Sequence, residues 1–113
     1  MDNQEIIMEN AIWERIMNDL QNNPRELQTM PITNRTGKWF YAETNGEVIV
    51  LKRAHSKEPS SEFKKDHRLR RKDFDLIYPF YIRRKAGEKI SDKSKISFNR
   101  VYIYSILYHC GKV

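Results

Sequence analysis

Hydrophobic positions near the start of the chain recur at the spacing of one helical face. Ile6, Trp13 and Leu20 are seven residues apart, and acidic and polar residues separate them. Such a heptad spacing of apolar residues is typical of an amphipathic helix. The pattern predicts a helix from about Asn3 to Asn22, and the helix ends at the sequence QNNP because proline cannot continue a helical hydrogen-bond ladder.

The segment KWFYAETNGEVIVLKR, residues 38–53, has the pattern of a β-hairpin. Two runs rich in aromatic and β-branched residues flank Asn45-Gly46, the pair best suited to a two-residue type I′ turn. Such a turn places Phe40 opposite Leu51 and Trp39 opposite Lys52.

Side chains alternate between the two faces of a strand, so the hairpin has two different faces. One face is predicted to belong to the core and carries Phe40, Ala42, Ile49 and Leu51. The other face carries Trp39, Tyr41, Val48, Val50 and Lys52. This second face either provides Trp39 and Tyr41 as a platform for stacking bases or, as the favoured alternative, packs beneath the N-terminal helix.

The segment RAHSKEPSSEFKKDHRLRRKD, residues 53–73, is predicted to be mostly loop with one short strand. A helix capped by Asp73 then follows, with Phe74, Ile77, Tyr78 and Tyr81 on one side. Pro79 favours an extended alternative for this segment, in which Leu76, Tyr78, Phe80 and Ile82 share a side. A last helix is predicted from Arg100 to Cys110, with Ser97 or Asn99 as its N-cap, although its many β-branched and tyrosine residues also fit a buried strand.

Together these elements predict one α+β domain over residues 1–113. An N-terminal amphipathic helix packs on a small antiparallel sheet centred on a type I′ hairpin, and one or two C-terminal helices follow. The length of 113 residues is typical of a single domain. We expect a cytoplasmic protein, because the acidic N-terminus does not resemble a secretory signal, no apolar run is long enough to span a membrane, and the single Cys110 cannot form an internal disulfide.

The net charge of +6 is unevenly distributed along the chain. Residues 1–36 carry three Lys or Arg against six Asp or Glu, whereas residues 52–89 carry thirteen against six. A concentration of cations of this kind attracts polyanions. The run FKKDHRLRRKDF, residues 63–74, has the highest density of cations. The alternative interpretation of such a run is a solvated surface with no ligand.

No catalytic or metal-binding signature is present. The three histidines are scattered, the usual ligand spacings are absent, and the four glycines form no phosphate-binding loop. We therefore expect no enzymatic activity, no metal and no cofactor.

The segment from Asp73 to Leu107 resembles the helix-turn-helix tails of recombinases, with an aromatic helix, a glycine and a capped tyrosine-rich helix in that order. The gap between Gly87 and Ser97 is shorter than in that pattern. The resemblance implies that the last helix, with Arg100 near its start, contacts nucleic acid.

The sequence thus predicts a small non-enzymatic protein that binds DNA or RNA through phosphate contacts. The alternative is an inhibitor or accessory subunit whose cations meet an acidic face of another protein. The predicted phosphate contacts are Lys52, Arg53, Lys64, Lys65, Arg68, Arg70, Arg71, Lys72, Arg83, Arg84, Lys85 and Arg100.

Overall fold

The fold, taken from a computed structural model, is an α+β arrangement of three helices and four strands. The structure describes residues 3–30, 37–88 and 99–113, with side chains from residue 7 onward. Predicted N-cap Ser97 lies outside these residues. The elements in chain order are α1 (Asn3–Asn22), β1 (Arg25–Gln28), β2 (Trp39–Thr44), β3 (Ile49–Arg53), β4 (His67–Leu69), α2 (Arg71–Lys85) and α3 (Arg100–His109). The predicted fold class is confirmed.

The four strands form one antiparallel sheet in the order β1-β2-β3-β4, and its inward face packs against the helices. The Thr44 hydroxyl lies 3.7 Å from the Met17 sulfur of α1. On the same face, the ring of Phe40 meets that of Tyr102 of α3 edge-on at 5.1 Å. The inward hydrophobic residues of the sheet are all buried in the core: Leu27, Phe40, Ala42, Ile49, Leu51 and Leu69.

The hairpin forms, but the prediction of a type I′ turn is wrong. Strands β2 and β3 pair Thr44 with Ile49 and Phe40 with Arg53, so the loop has four residues, 45–48, and the register differs by two from the predicted one. Only Lys112 among the described residues other than glycine has a positive φ, so Asn45 lacks the backbone conformation that a type I′ turn requires. The Asn45 side chain instead accepts hydrogen bonds from the backbone N–H groups of Glu47 and Val48, at 2.9 and 3.0 Å.

A register difference of two leaves the side chains of both strands on their predicted faces, because the side-chain period of a strand is two. Val48, predicted on the second face, instead lies in the loop. The prediction that Phe40 and Leu51 belong to the core is therefore confirmed. The predicted pairing of Trp39 with Lys52 is wrong, since Lys52 lies opposite Tyr41. The alternative that α1 covers the Trp39 face is also wrong, because α1 packs on the opposite face.

Helix α2 begins at Arg71, slightly earlier than predicted, and continues through Pro79. The Asp73 carboxylate accepts a hydrogen bond of 2.8 Å from the backbone N–H of Arg70, so it stabilises the first turn from inside the helix. Pro79 has no N–H to donate, so the Asp75 carbonyl loses its helical hydrogen bond. Proline is tolerated here because both residues lie on the exposed side of the helix. The extended alternative is wrong, and the predicted inward residues Phe74, Ile77, Tyr78 and Tyr81 are all buried.

Helix α3 is confirmed, with Asn99 as its N-cap. Six consecutive residues, from Tyr102 to Leu107, are buried. The segment is apolar on all sides because the core encloses the helix, and the alternative of a buried strand is wrong.

Candidate nucleic-acid interface

The outward face of the sheet is not covered by any helix in the described part of the chain. We call it the open face, and none of its residues is fully buried. The pairing registers assign to it Glu26 and Gln28 of β1, Trp39, Tyr41 and Glu43 of β2, Val50 and Lys52 of β3, and Arg68 of β4. This face therefore combines the two predicted stacking residues with two of the predicted phosphate contacts.

Trp39 and Tyr41 lie side by side on β2, an inner strand of the sheet. The residues between and beside them, Phe40 and Ala42, are fully buried on the opposite face. Because the core holds β2 in place from below, the two rings are presented on a rigid support. They are separated by two residues along the strand, which is about 6.8 Å.

The cations of the open face lie on one side of these rings. Lys52 pairs directly with Tyr41 across β2 and β3, and Arg68 pairs with Val50 across β3 and β4. The ammonium of Lys52 lies 2.6 Å from the carboxylate of Glu43, and this hydrogen bond raises the pKa of Lys52. Arg68 is exposed. The β3 and β4 side of the open face therefore carries two cations, an exposed Arg68 and a Lys52 that is paired with Glu43.

A loop formed by residues 54–60 crosses the other side of the open face. Its Lys57 ammonium lies 5.0 Å from the centre of the Trp39 ring. The His55 ring meets the Tyr41 ring at 5.6 Å in an edge-on arrangement. The loop thus contacts both predicted stacking residues.

The carboxylate of Glu26 fastens this loop to the sheet. It accepts hydrogen bonds from the backbone N–H of His55, from the backbone N–H of Ser56 at 2.8 Å and from the Ser56 hydroxyl at 2.6 Å. The hydrogen bond from the Ser56 hydroxyl is the main cause of a lowered pKa at Glu26, since it favours the ionised carboxylate. Sequence reasoning missed Glu26, His55 and Ser56 as functional residues, because no local pattern links them.

The remaining predicted phosphate contacts that precede β4 are exposed. Arg53 ends β3 and lies 3.9 Å from the carboxylate of Glu62, and both side chains are largely exposed. Lys64 and Lys65 lie in the loop that leads into β4. Lys64 and Lys65 precede β4 in the chain, whereas the pairing of Arg53 with Phe40 places Arg53 on the inward side at the end of β3.

The basic run is divided where β4 passes into α2. Lys72 is exposed, whereas Arg71 is half-buried between α1 and α2. Its guanidinium bonds the Asp75 carboxylate at 2.8 Å and the side-chain oxygen of Asn10. Arg70 is exposed at the start of α2.

The second basic cluster lies at the far end of α2. Arg71 and Arg84 are 13 positions apart, which corresponds to about 20 Å along the helix. Arg83 bonds the Glu88 carboxylate at 2.9 Å, and Arg84 lies 5.9 Å from the centre of the Tyr104 ring. Together with Lys85, Arg84 lines a cavity of about 280 Å³ between α2 and α3. This cluster belongs to a different part of the surface from the open face.

The helix-turn-helix arrangement that the resemblance implies does not match the position of α3. A recognition helix must present a face to the groove of DNA. The middle of α3 is buried all round, and Arg100 is half-buried at its first turn.

Comparison with known proteins adds no relative from which a function could be transferred. No family model, no curated protein and no solved structure matches the chain. Within the described residues, no group of three or more His, Cys, Asp or Glu side chains is arranged to hold a metal ion. None of the described helices combines the length and apolar character needed to cross a membrane.

Proposed function

We propose that the protein binds nucleic acid through the open face, with Lys52 and Arg68 contacting phosphates. The observation that carries this proposal is that the two cations share one sheet surface with Trp39 and Tyr41, and that no described helix covers this surface. Proteins gain much of their affinity for nucleic acids when cations neutralise phosphates and release counterions.

The exposed cations in the loop that leads into β4 add to the attraction. Lys64 and Lys65 are both exposed, and their charge attracts a phosphate backbone that passes along the β3 and β4 side. Arg53 lies opposite Phe40 and so belongs to the other face of β3. The second cluster, Arg83, Arg84 and Lys85, is too far along α2 for the same short stretch of backbone. We assign it no part in this interface.

The proposal predicts a measurable dependence on salt. We expect fluorescence anisotropy of labelled oligonucleotides to show binding at low salt. The logarithm of the affinity should fall linearly with the logarithm of the salt concentration, and we call the steepness of this line the salt slope. Each lost phosphate contact reduces the salt slope by about 1. The double variant Lys52→Ala and Arg68→Ala should therefore lose affinity and about 2 in salt slope.

A matched control removes the same charge from elsewhere. Lys72→Ala combined with Lys85→Ala changes two exposed lysines that lie outside the open face. This control should keep the salt slope of the wild type. Equal losses in both variants would show that only net charge matters and would contradict an interface on the open face. Absence of binding by the wild type at low salt would overturn the proposal and favour an acidic protein partner.

A further inference from the structure

The loop of residues 54–60 occupies positions on the open face that a nucleic acid would also need. A base stacks on an aromatic side chain by covering the flat face of its ring. Lys57 lies over the Trp39 ring, and His55 contacts the Tyr41 ring. A base can therefore stack on the Trp39 face beneath Lys57 only after that side chain has moved, and His55 must give up its edge-on contact for a base to approach Tyr41 from the same side.

The contacts of residues 55–57 are suited to being exchanged. His55, Ser56 and Lys57 are all exposed, and Glu26 accepts surface hydrogen bonds from His55 and Ser56. Contacts of this kind compete with water, which limits their net stability. The end of the loop stays in place, because the Trp39 backbone N–H donates to the Pro59 carbonyl at 2.7 Å. The Lys57 ammonium over Trp39 is also an exchangeable contact. A phosphate can bind the ammonium instead of the ring, and a base can stack on the ring instead of the ammonium.

The spacing of the two residues along the strand favours one kind of nucleic acid. The backbone positions of Trp39 and Tyr41 are about 6.8 Å apart along β2. This is about twice the 3.4 Å rise between neighbouring bases in one strand of a duplex. Paired bases in a duplex are stacked on each other and do not offer their faces, whereas an extended single strand can place successive bases on the two rings.

We propose that the ligand of the open face is single-stranded nucleic acid, whose unpaired bases replace Lys57 on Trp39 and displace His55 from Tyr41 when residues 55–57 of the loop move aside. This inference rests on the proposed nucleic-acid-binding function and adds the substrate class and the competing loop. The strand's phosphates then lie towards Lys52 and Arg68, because Glu26 and Gln28 on the β1 side carry no cation.

The first test compares a single-stranded oligonucleotide with the duplex of the same sequence and length. We expect the single strand to bind at least about fivefold more tightly to the wild type, and Trp39→Leu to remove most of that difference, since stacking on an aromatic side chain contributes about this factor per base. In a Trp13→Phe background the fluorescence of Trp39 should be quenched by the single strand, which reports stacking without changing Trp39.

The second test releases the loop. Ser56→Ala removes a hydrogen bond to Glu26 with no change of charge, and we expect the single strand to bind more tightly to this variant. Glu26→Ala should raise the affinity further, and by more than Glu47→Ala, which removes the same charge from the exposed hairpin loop and leaves residues 54–60 unchanged.

The outcomes separate the inference from the proposed function. Equal affinity for duplex and single strand, with no effect of Trp39→Leu, would overturn the inference and leave phosphate binding on the open face intact. Weaker binding by Ser56→Ala and Glu26→Ala would show that the loop is part of the binding surface, which would overturn its role as a competitor. Failure of the wild type to bind either oligonucleotide would overturn both.

Discussion

The guanidinium of Arg71 lies 5.8 Å from the centre of the Trp13 ring, so a residue from the basic run joins α2 to α1. The same group lies 5.6 Å from the centre of the Phe74 ring and bonds Asn10 of α1. Its neighbour Lys72 is exposed. Adjacent cations in the sequence therefore have different physical roles.

We predict that Arg71→Ala lowers the free energy of unfolding by about 1–2 kcal/mol, because it removes contacts with two rings and the packing of the side-chain stem. The partly exposed ion pair with Asp75 adds little to this loss. Lys72→Ala is the matched control and should change the stability by less than about 0.5 kcal/mol. Urea denaturation followed by circular dichroism measures both values, and equal values for the two variants would contradict a structural role for Arg71.

Cys110 should be unreactive in the folded protein. It is buried, and burial is the main cause that raises its pKa to about 12. Because the thiolate is the reactive form, very little of it is present near pH 8. We expect iodoacetamide to leave Cys110 unmodified in the native state and to alkylate it in urea, as measured by mass spectrometry. Rapid alkylation of the native protein would show that the end of α3 opens readily.

The contact between Glu26 and the loop of residues 54–60 should depend on pH in the acidic range. The pKa of Glu26 is lowered when Glu26 bonds the loop, mainly by the Ser56 hydroxyl. The contact therefore stabilises the bound loop fully above the ordinary glutamate pKa of about 4.3. This stabilisation is lost as the pH falls through the lowered pKa of the bonded Glu26. The Ser56 amide resonance should then shift, and the amide should lose its protection, measured as its exchange rate relative to that of an unprotected amide at the same pH. In Glu26→Ala the Ser56 amide should exchange fast already at neutral pH, and an unchanged exchange rate in that variant would contradict the contact.

The helices could be predicted from sequence because their information is local. The apolar spacing in α1 and the inward side of α2, including Phe74 and Ile77, follow from a period of about 3.6 residues. Strand β1 was not predicted, since Leu27 is the only buried residue among its four. A strand this short leaves no periodic pattern, and only its pairing with β2 defines it.

The candidate site was predictable in part for the same reason. Alternation along β2 places Trp39 and Tyr41 on one face whatever the register, so the platform could be identified from sequence. The contact between Glu26 and His55 joins residues 29 positions apart and depends on how the loop folds back over the sheet. No propensity or spacing rule reports such a contact, so the competing loop is visible only in the structure.

The hairpin loop offers a last prediction, because the two possible turns respond differently to the same substitution. In the four-residue loop, the Asn45 side chain accepts two backbone hydrogen bonds, and only Gly46 of the loop has a positive φ, of +97°. Asn45→Gly removes that acceptor and adds chain freedom to the unfolded state, so we expect it to lower the free energy of unfolding by about 1–2 kcal/mol. In a type I′ turn both central residues need positive φ, and glycine at position 45 would be tolerated.

Two further variants of the loop complete this measurement. Asn45→Asp keeps a side-chain acceptor and should be close to neutral. Gly46→Ala should cost about 1–2 kcal/mol through backbone strain alone, because an added Cβ would meet no atom within 4 Å. Urea denaturation of the three variants gives the order of stabilities, and an Asn45→Gly variant as stable as the wild type would contradict the four-residue loop and the register that it sets for Tyr41 and Lys52 on the open face.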